Sequence, residues 1–346
     1  MAETVKKTVL SSEQLVADVL ATIDRERERE IISRRFGLSD RKETLEQIGE
    51  MLGITRERVR QLEKSVITRL KAQAEQGTLP YIAAFQTHVI ELLTKLGGVA
   101  RVSELAGKLT DKPSREEQSR VAFLSQLCPE LVVVHEDDNF YLSVTIAKTN
   151  SEKSLKSQVA KLIDTIKQLG EPKTIADIAK AASMTDSTHA NALSTTSKLL
   201  ATLNGRWGLV KWPMVNPKNI RDKIYVILKE NGKQMHFNEI AGAIKGSDFK
   251  RKDVTTQAIH NELIKDKRFV LIGRGIYALK EWGYEKGTVS DVISEVLRDA
   301  GAPLHRDEIV KRVLKSRFVK ETTILLNLQG KAQFKRVAKA TYTLAE

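Results

Sequence analysis

The stretch TLEQIGEMLGITRERVRQLEKSVITRLK, Thr44 to Lys71, decides how the rest of the chain is read. Its spacing predicts two helices joined by a tight turn. Thr44 is a good N-cap, and Gln47 three residues later completes a capping box. Leu45, Ile48 and Leu52 then recur at helical spacing. Gly53 stops that helix, because glycine tolerates the left-handed conformation of a C-terminal stop. Thr55 caps the next helix, and Glu57 in its first turn suits the helix dipole.

The second helix has two faces. Val59, Leu62, Val66 and Leu70 form an apolar stripe at three- and four-residue steps. Glu57, Arg60, Gln61 and Lys64 fall roughly opposite, and Arg56 lies on the flank at the helix start. Arg and Gln reach base edges through paired hydrogen bonds, and Glu accepts from cytosine. A short helix, a glycine turn and a polar-faced second helix is the helix-turn-helix pattern, whose second helix enters the major groove. A solvated face laced by ion pairs has the same composition, and Glu57–Arg60 at i,i+3 fits that reading too.

The strings RERERE at 25–30, II at 31–32 and RRFGL at 34–38, followed by TLEQIGEMLGITRERVRQLE at 44–63, closely resemble region 4 of the sigma-70 family of bacterial sigma factors. The resemblance runs nearly gapless from about Leu15 to Lys71. It implies a domain that reads the promoter −35 element and docks on the flap of RNA polymerase. Arg56, Glu57, Arg60 and Gln61 match base-contacting positions, with Arg58 among them, and Thr44 and Leu45 match the backbone-contacting helix start. The resemblance also places the polymerase side near Ile31, Ile32 and Phe36, which read from the residues as core. Full sigma factors carry an aromatic-rich region ahead of region 4 that melts the −10 element. Nothing of that kind stands ahead of Leu15, so this chain is not expected to open a promoter alone.

Before the motif, Leu15 to Ile23 and Arg25 to Phe36 read as two further helices, and residues 1–14 as a polar, frayed start. After it, QAEQGTLP at 73–80 carries the turn residues of a linker. Beyond the linker an internal repeat emerges. Gly97, Gly170, Gly232 and Gly301 are each followed seven residues later by an acid, Glu104, Asp177, Glu239 and Glu308, and then by Leu or Ile. An apolar helical stretch precedes each glycine, and a β-like tail closes each unit, as in GRWGLVKW at 205–212 and QFKRVAKATYTL at 333–344. The order helix, turn, helix, third helix, two-stranded ribbon is that of a winged helix-turn-helix, and each unit is long enough to hold its own core. The glycine ends the first helix and the acid sits in the first turn of the second. The expected fold class is therefore mainly α, with a helix-turn-helix domain at 1–76 and winged modules at 81–147, 154–216, 217–284 and 285–346.

In the third unit, HFNEIAGAI at 236–244 and RFVLIGRGIYAL at 268–279 resemble the HARE-type winged helix, also found in the delta subunit of bacterial RNA polymerase. The fourth looks like a diverged copy through PLHRDEIVKRV at 303–313. Two basic segments of the third unit are candidate phosphate contacts: Lys245, Lys250, Arg251 and Lys252 in KGSDFKRK, and Arg274 in the GRG ribbon turn. Both also read as solvated turns.

The formal net charge is +13, and residues 217–346 hold +10 of it, with 26 basic against 16 acidic side chains. A basic region attracts phosphate without reading sequence. Aromatic residues are 5%, too few for a platform on which single strands stack. Cys128 is the only cysteine, which excludes an internal disulfide and a cysteine zinc site. The six histidines are scattered, and no P-loop, GxSxG or HExxH string occurs. The sequence therefore predicts no enzyme, no catalytic residue, no metal and no cofactor. MAETVKKTVL has no apolar core and no run approaches spanning length, so no membrane partner and a cytoplasmic location are expected. The expected partners are double-stranded promoter DNA and the RNA polymerase core. Two rivals remain: a polymerase accessory protein whose DNA contacts are secondary, and a nucleoid-type binder without sequence choice.

Overall fold

The computed structural model describes residues 11–110, 113–251, 253–284 and 287–345. The chain divides into two compact units, residues 1–210 and 211–346.

The first unit opens with helices α1 (Ser12–Ala21), α2 (Glu26–Phe36), α3 (Leu45–Leu52) and α4 (Arg56–Glu75). Helix α1 starts earlier than the apolar spacing predicts, because Ser11 caps it by accepting from the Gln14 amide. The expected fraying of the start thus fails at Ser11–Gln14, and residues 1–10 lie outside the described residues. Helix α2 ends at Gly37 with φ of 65°. Helix α4 turns out at Gln76, and Leu79, inside the polar linker string, is buried.

Four copies of one element order follow. The first is α5 (Ile82–Leu96), β1 (Val99–Arg101), α6 (Val102–Leu109), α7 (Arg115–Leu127), β2 (Leu131–Val134) and β3 (Ser143–Ile146). The second is α8 (Glu152–Leu169), β4 (Lys173–Thr174), α9 (Ile175–Ala181), α10 (Ser187–Thr196), β5 (Leu200–Leu203) and β6 (Arg206–Leu209). In the other unit come α11 (Ile220–Asn231), β7 (Met235–His236), α12 (Phe237–Gly246), α13 (Thr256–Lys265), β8 (Phe269–Gly273) and β9 (Ile276–Leu279). The last copy is α14 (Val289–Ala300), β10 (Leu304–His305), α15 (Arg306–Ser316), α16 (Glu321–Gly330), β11 (Phe334–Ala338) and β12 (Thr341–Leu344).

Each copy carries a three-stranded antiparallel sheet in which the last strand lies between the other two. The sequence predicts only a two-stranded ribbon. The missed strand is two or three residues long and runs straight into the next helix, so it shows no alternation that a pattern could register. The repeat glycines do what their spacing implies. Gly97, Gly170, Gly232 and Gly301 cap the first helix of each copy with φ between 59° and 97°. The repeat acids stand in the first turn of the second helix. His236 and His305 are the N-caps of those helices in the last two copies, their Nδ1 atoms accepting from the Asn238 and Asp307 amides.

One continuous core joins the N-terminal helices to the first repeat, running from Leu15, Val19 and Ile32 through Leu70 and Phe85 to Phe123 and Val144. Helix α7 seals the junction. Its Phe123 ring meets Phe36 at 5.0 Å, Arg120 Nε donates to Leu38 O at 3.1 Å, and Ser12 Oγ donates to Glu117 at 2.5 Å. Helix α10 of the second repeat packs in turn on β1 of the first, where His189 Nδ1 donates to Gly97 O at 2.7 Å. A Cβ on Gly97 would sit 2.7 Å from Thr188 O, so this position needs glycine for space as well as for φ.

Cys128 is buried at the end of α7, and burial pushes its thiol up to about 12. The thiolate is the reactive form. In the folded chain Cys128 is therefore expected to resist alkylation at pH 8, and to react at the ordinary rate in denaturant; rapid native labelling would contradict the packing around α7.

Candidate nucleic-acid interface

Thr44 and Gln47 form the full capping box: the Gln47 amide donates to Thr44 Oγ1 at 3.2 Å, and the Thr44 amide donates to Gln47 Oε1 at 2.9 Å. Gly53 takes φ of 63° and ends α3. Thr55 accepts from the Arg58 amide at 3.2 Å and opens α4. Ile31, Ile48 and Val59 make the small core under the turn, with Leu45, Leu52, Ile54 and Leu62 packed against it. The side chain of Leu45 is thus spent on packing, and what Leu45 offers outward is the backbone N–H of a helix start.

Gly49 is the residue the pattern did not single out. It is buried in α3, and a Cβ there would lie 2.7 Å from Ile54 O. The turn backbone rests directly on the helix. Gly49→Val is expected to cost about 1–3 kcal/mol by overpacking and to shift α4 against α3. Amide hydrogen exchange in α3 and α4 of the variant checks this; wild-type protection there would mean the turn yields freely.

Val59, Val66 and Leu70 are buried, while Thr55, Arg56, Glu57, Arg58, Arg60, Gln61 and Lys64 are exposed, so α4 presents one polar face to solvent. The face is organised around Glu57. Arg60 grips that carboxylate with two bonds, Nε at 2.8 Å and Nη2 at 2.6 Å, and Gln61 Nε2 donates to it at 3.4 Å. Hydrogen bonding from Arg60 holds the Glu57 carboxyl below the usual range, and the same bonds raise Arg60. Arg58 Nη1 donates to Gln61 Oε1 at 3.4 Å, and Arg56 lies 3.7 Å from Glu46 on α3. The ion-paired reading of this face is therefore realised in the free chain. It does not exclude base contact: exposed pairs are weak, and their partners are freed at little cost.

Charged residues Arg27, Glu28 and Arg35 of the RERERE and RRFGL strings serve the scaffold. Arg27 Nη2 donates to Leu52 O at 2.6 Å, closing the end of α3. Arg35 reaches Glu63 at 3.3 Å, and Arg69 reaches the buried Glu28 at 2.8 Å, so two ion pairs fasten α4 to α2. Sequence spacing cannot show such partners, because they lie 28 and 41 residues apart.

Residues 25–72 match the family model described as Sigma-70, region 4. The RNA polymerase sigma factor sigB of Arabidopsis thaliana is 46% identical over 65 residues, which are 18% of this chain and 11% of the relative. The RNA polymerase sigma factor SigA of a Bacillus species is 48% identical over 63 residues, 18% of this chain and 16% of the relative. RpoD of Helicobacter pylori is 47% identical over 64 residues, 17% and 10% respectively. The chain thus carries a stretch similar to sigma region 4 and spans between a tenth and a sixth of the length of these relatives.

In the second unit Lys245 stands exposed in the last turn of α12. Lys250 and Arg251 are exposed too, but their backbone carbonyls hold the buried Lys223, whose Nζ donates to them at 2.8 and 2.7 Å. Lys252 lies outside the described residues. Arg274 is exposed at the two-residue β8–β9 turn, as the GRG string predicts, with Gly275 at φ of 69° beside His236 and Phe237. These cations belong to the second unit and the α4 face to the first. Among the described residues no group of three His, Cys, Asp or Glu side chains could hold a metal, and no helix is long and apolar enough to cross a membrane.

Proposed function

We propose that the chain is a cytoplasmic, DNA-binding transcription regulator whose helix α4 enters the major groove of a −35-like promoter element. Arg56, Glu57, Arg60 and Gln61 read base edges there, with Arg58 and Lys64 beside them, and Thr44, Leu45 and Thr55 meet the DNA backbone at the two helix starts. The four repeats are winged helix-turn-helix modules, the third of HARE type and the fourth a diverged copy of it. The observation that carries this reading is the exposed polar face of a second helix N-capped by Thr55, within the stretch that matches sigma region 4. Competition between a −35-like duplex and a scrambled one, at fixed salt, tests it. Preference for the former is expected; equal affinity for both would leave only sequence-independent, nucleoid-type binding.

A second reading is a polymerase accessory protein. It is favoured by large apolar side chains left in solvent on residues 211–346: Ile264 at 60%, Phe318 at 53% and Leu326 at 68% exposure. Exposed apolar side chains of this size mark a protein partner where they form one contiguous patch. Binding to purified, nuclease-treated RNA polymerase core separates the two readings: an association that survives removal of DNA supports the accessory role.

A further inference from the structure

The four repeats place a β-hairpin at the same point of the same element order, which allows their surfaces to be compared directly. The β2–β3 hairpin, residues 131–146, holds Glu136, Asp137 and Asp138 and no Lys or Arg. The β5–β6 and β8–β9 hairpins hold one cation each, Arg206 and Arg274. The β11–β12 hairpin holds three, Lys335, Arg336 and Lys339, and no acid, with Lys331 just ahead of it. All four of these cations are exposed. None of them makes an ion pair among the described residues, whereas Arg306 and Arg312 on the neighbouring α15 do.

Geometry adds to the contrast. β11 is an edge strand, paired only with β12. Its register breaks between Arg336 and Ala338, and the Arg336 guanidinium donates to Ala338 O at 3.2 Å, back along its own strand. Lys339 and Ala340 form the tip, with Ala340 in the left-handed region at φ of 55°. The third helix of the same repeat offers nothing comparable: the outward residues of α16 are Glu321, Thr322, Thr323, Leu326 and Gln329, with no cation. In the first two repeats the third helix is already occupied, α7 by the N-terminal helices and α10 by β1.

We infer that the fourth-repeat hairpin, through Lys331, Lys335, Arg336 and Lys339, is a phosphate-binding wing that grips the backbone of duplex DNA. Unpaired cations on an exposed edge fit a continuous phosphate strand, and the hairpin has no exposed aromatic side chain on which single-stranded bases could stack. The wing supplies affinity without sequence choice. This deepens the DNA-binding proposal and rests on it, but it does not depend on which bases α4 contacts.

The test measures duplex affinity of the full chain at several salt concentrations, for wild type and for the variant carrying Lys331→Gln, Lys335→Gln, Arg336→Gln and Lys339→Gln. Circular dichroism confirms that the variant is folded. Each phosphate contact contributes about −0.9 to the slope of log affinity against log salt, so the slope should flatten by about 2–4. At low salt the variant should bind on the order of a hundredfold more weakly, and its preference for a −35-like duplex should persist. An unchanged slope in the variant, with a normal wild-type slope, overturns the wing and leaves the helix reading standing. A slope that falls only in a Lys245→Gln, Lys250→Gln, Arg274→Gln variant also overturns it, by moving the backbone contacts to the third repeat. A wild-type chain with no salt-dependent duplex binding removes the wing together with the DNA-binding proposal.

Discussion

Replacing Phe123 with alanine is expected to destabilise the first unit by about 3–5 kcal/mol, the usual cost of emptying a fully buried aromatic site. The effect should reach well beyond the first repeat. Phe123 is completely buried, its ring meets Phe36 of α2, and it belongs to the core cluster that begins at Leu15. Loss of the ring therefore removes packing under α1, α2 and α4 as well as within α7. Hydrogen exchange on the full-length chain measures this, because two units make a single melting midpoint hard to interpret. Amide protection in α1 to α4 should fall along with that of α5 to α7. Full protection retained in α1 to α4 would show that the helix-turn-helix holds its own core. A fragment of residues 1–76 is expected to be helical, since its helix starts and stops are largely capped, yet less protected than the same residues in the full chain.

Arg60→Ala, or Gln61→Ala, is expected to lose about 1–3 kcal/mol of discrimination between a −35-like duplex and a scrambled one, and to leave the fold intact. Both side chains stand on the exposed face of α4, away from Val59, Val66 and Leu70, so neither truncation opens a cavity. The two effects should not add. Arg60 and Gln61 both bond to Glu57, so removing either changes the environment of the other. Competition binding of the two single variants and the double variant gives the coupling directly. Unchanged preference in all three would remove direct readout by this face.

The parts of this molecule that were legible in the sequence are those set by local chemistry. Thr44 with Gln47, Gly53 and Thr55 announce two helices and their turn, because caps act on amides within four residues. The glycines at 97, 170, 232 and 301 and the acids that follow them are legible for the same reason, and they carry the fourfold repeat. What the sequence hides is non-local. The strand before each second helix is two or three residues long and exists only because the closing hairpin offers it an edge. Leu79 is hydrophobic in a string of turn residues, and only the packing of α5 and the N-terminal helices shows it buried. The merger of α7 with α1, α2 and α4 rests on pairs such as Phe36–Phe123 and Leu38–Arg120, roughly 80 residues apart, which no periodicity reports. On α4 the polar face was legible as a face. That Glu57 gathers Arg60 and Gln61 in the free chain depends on side-chain rotamers that spacing does not report.

The most direct test of the central proposal is methylation interference on a −35-like duplex bound by the full-length chain. Guanine N7 lies in the major groove and is one of the acceptors that Arg reads there. If α4 lies in the groove with Arg56, Arg60 and Gln61 on base edges, methylation of guanines within the element should block binding, and the interference at one guanine should vanish in Arg60→Ala. Binding that tolerates methylation at every guanine of the element, at the same affinity, would contradict major-groove reading by α4.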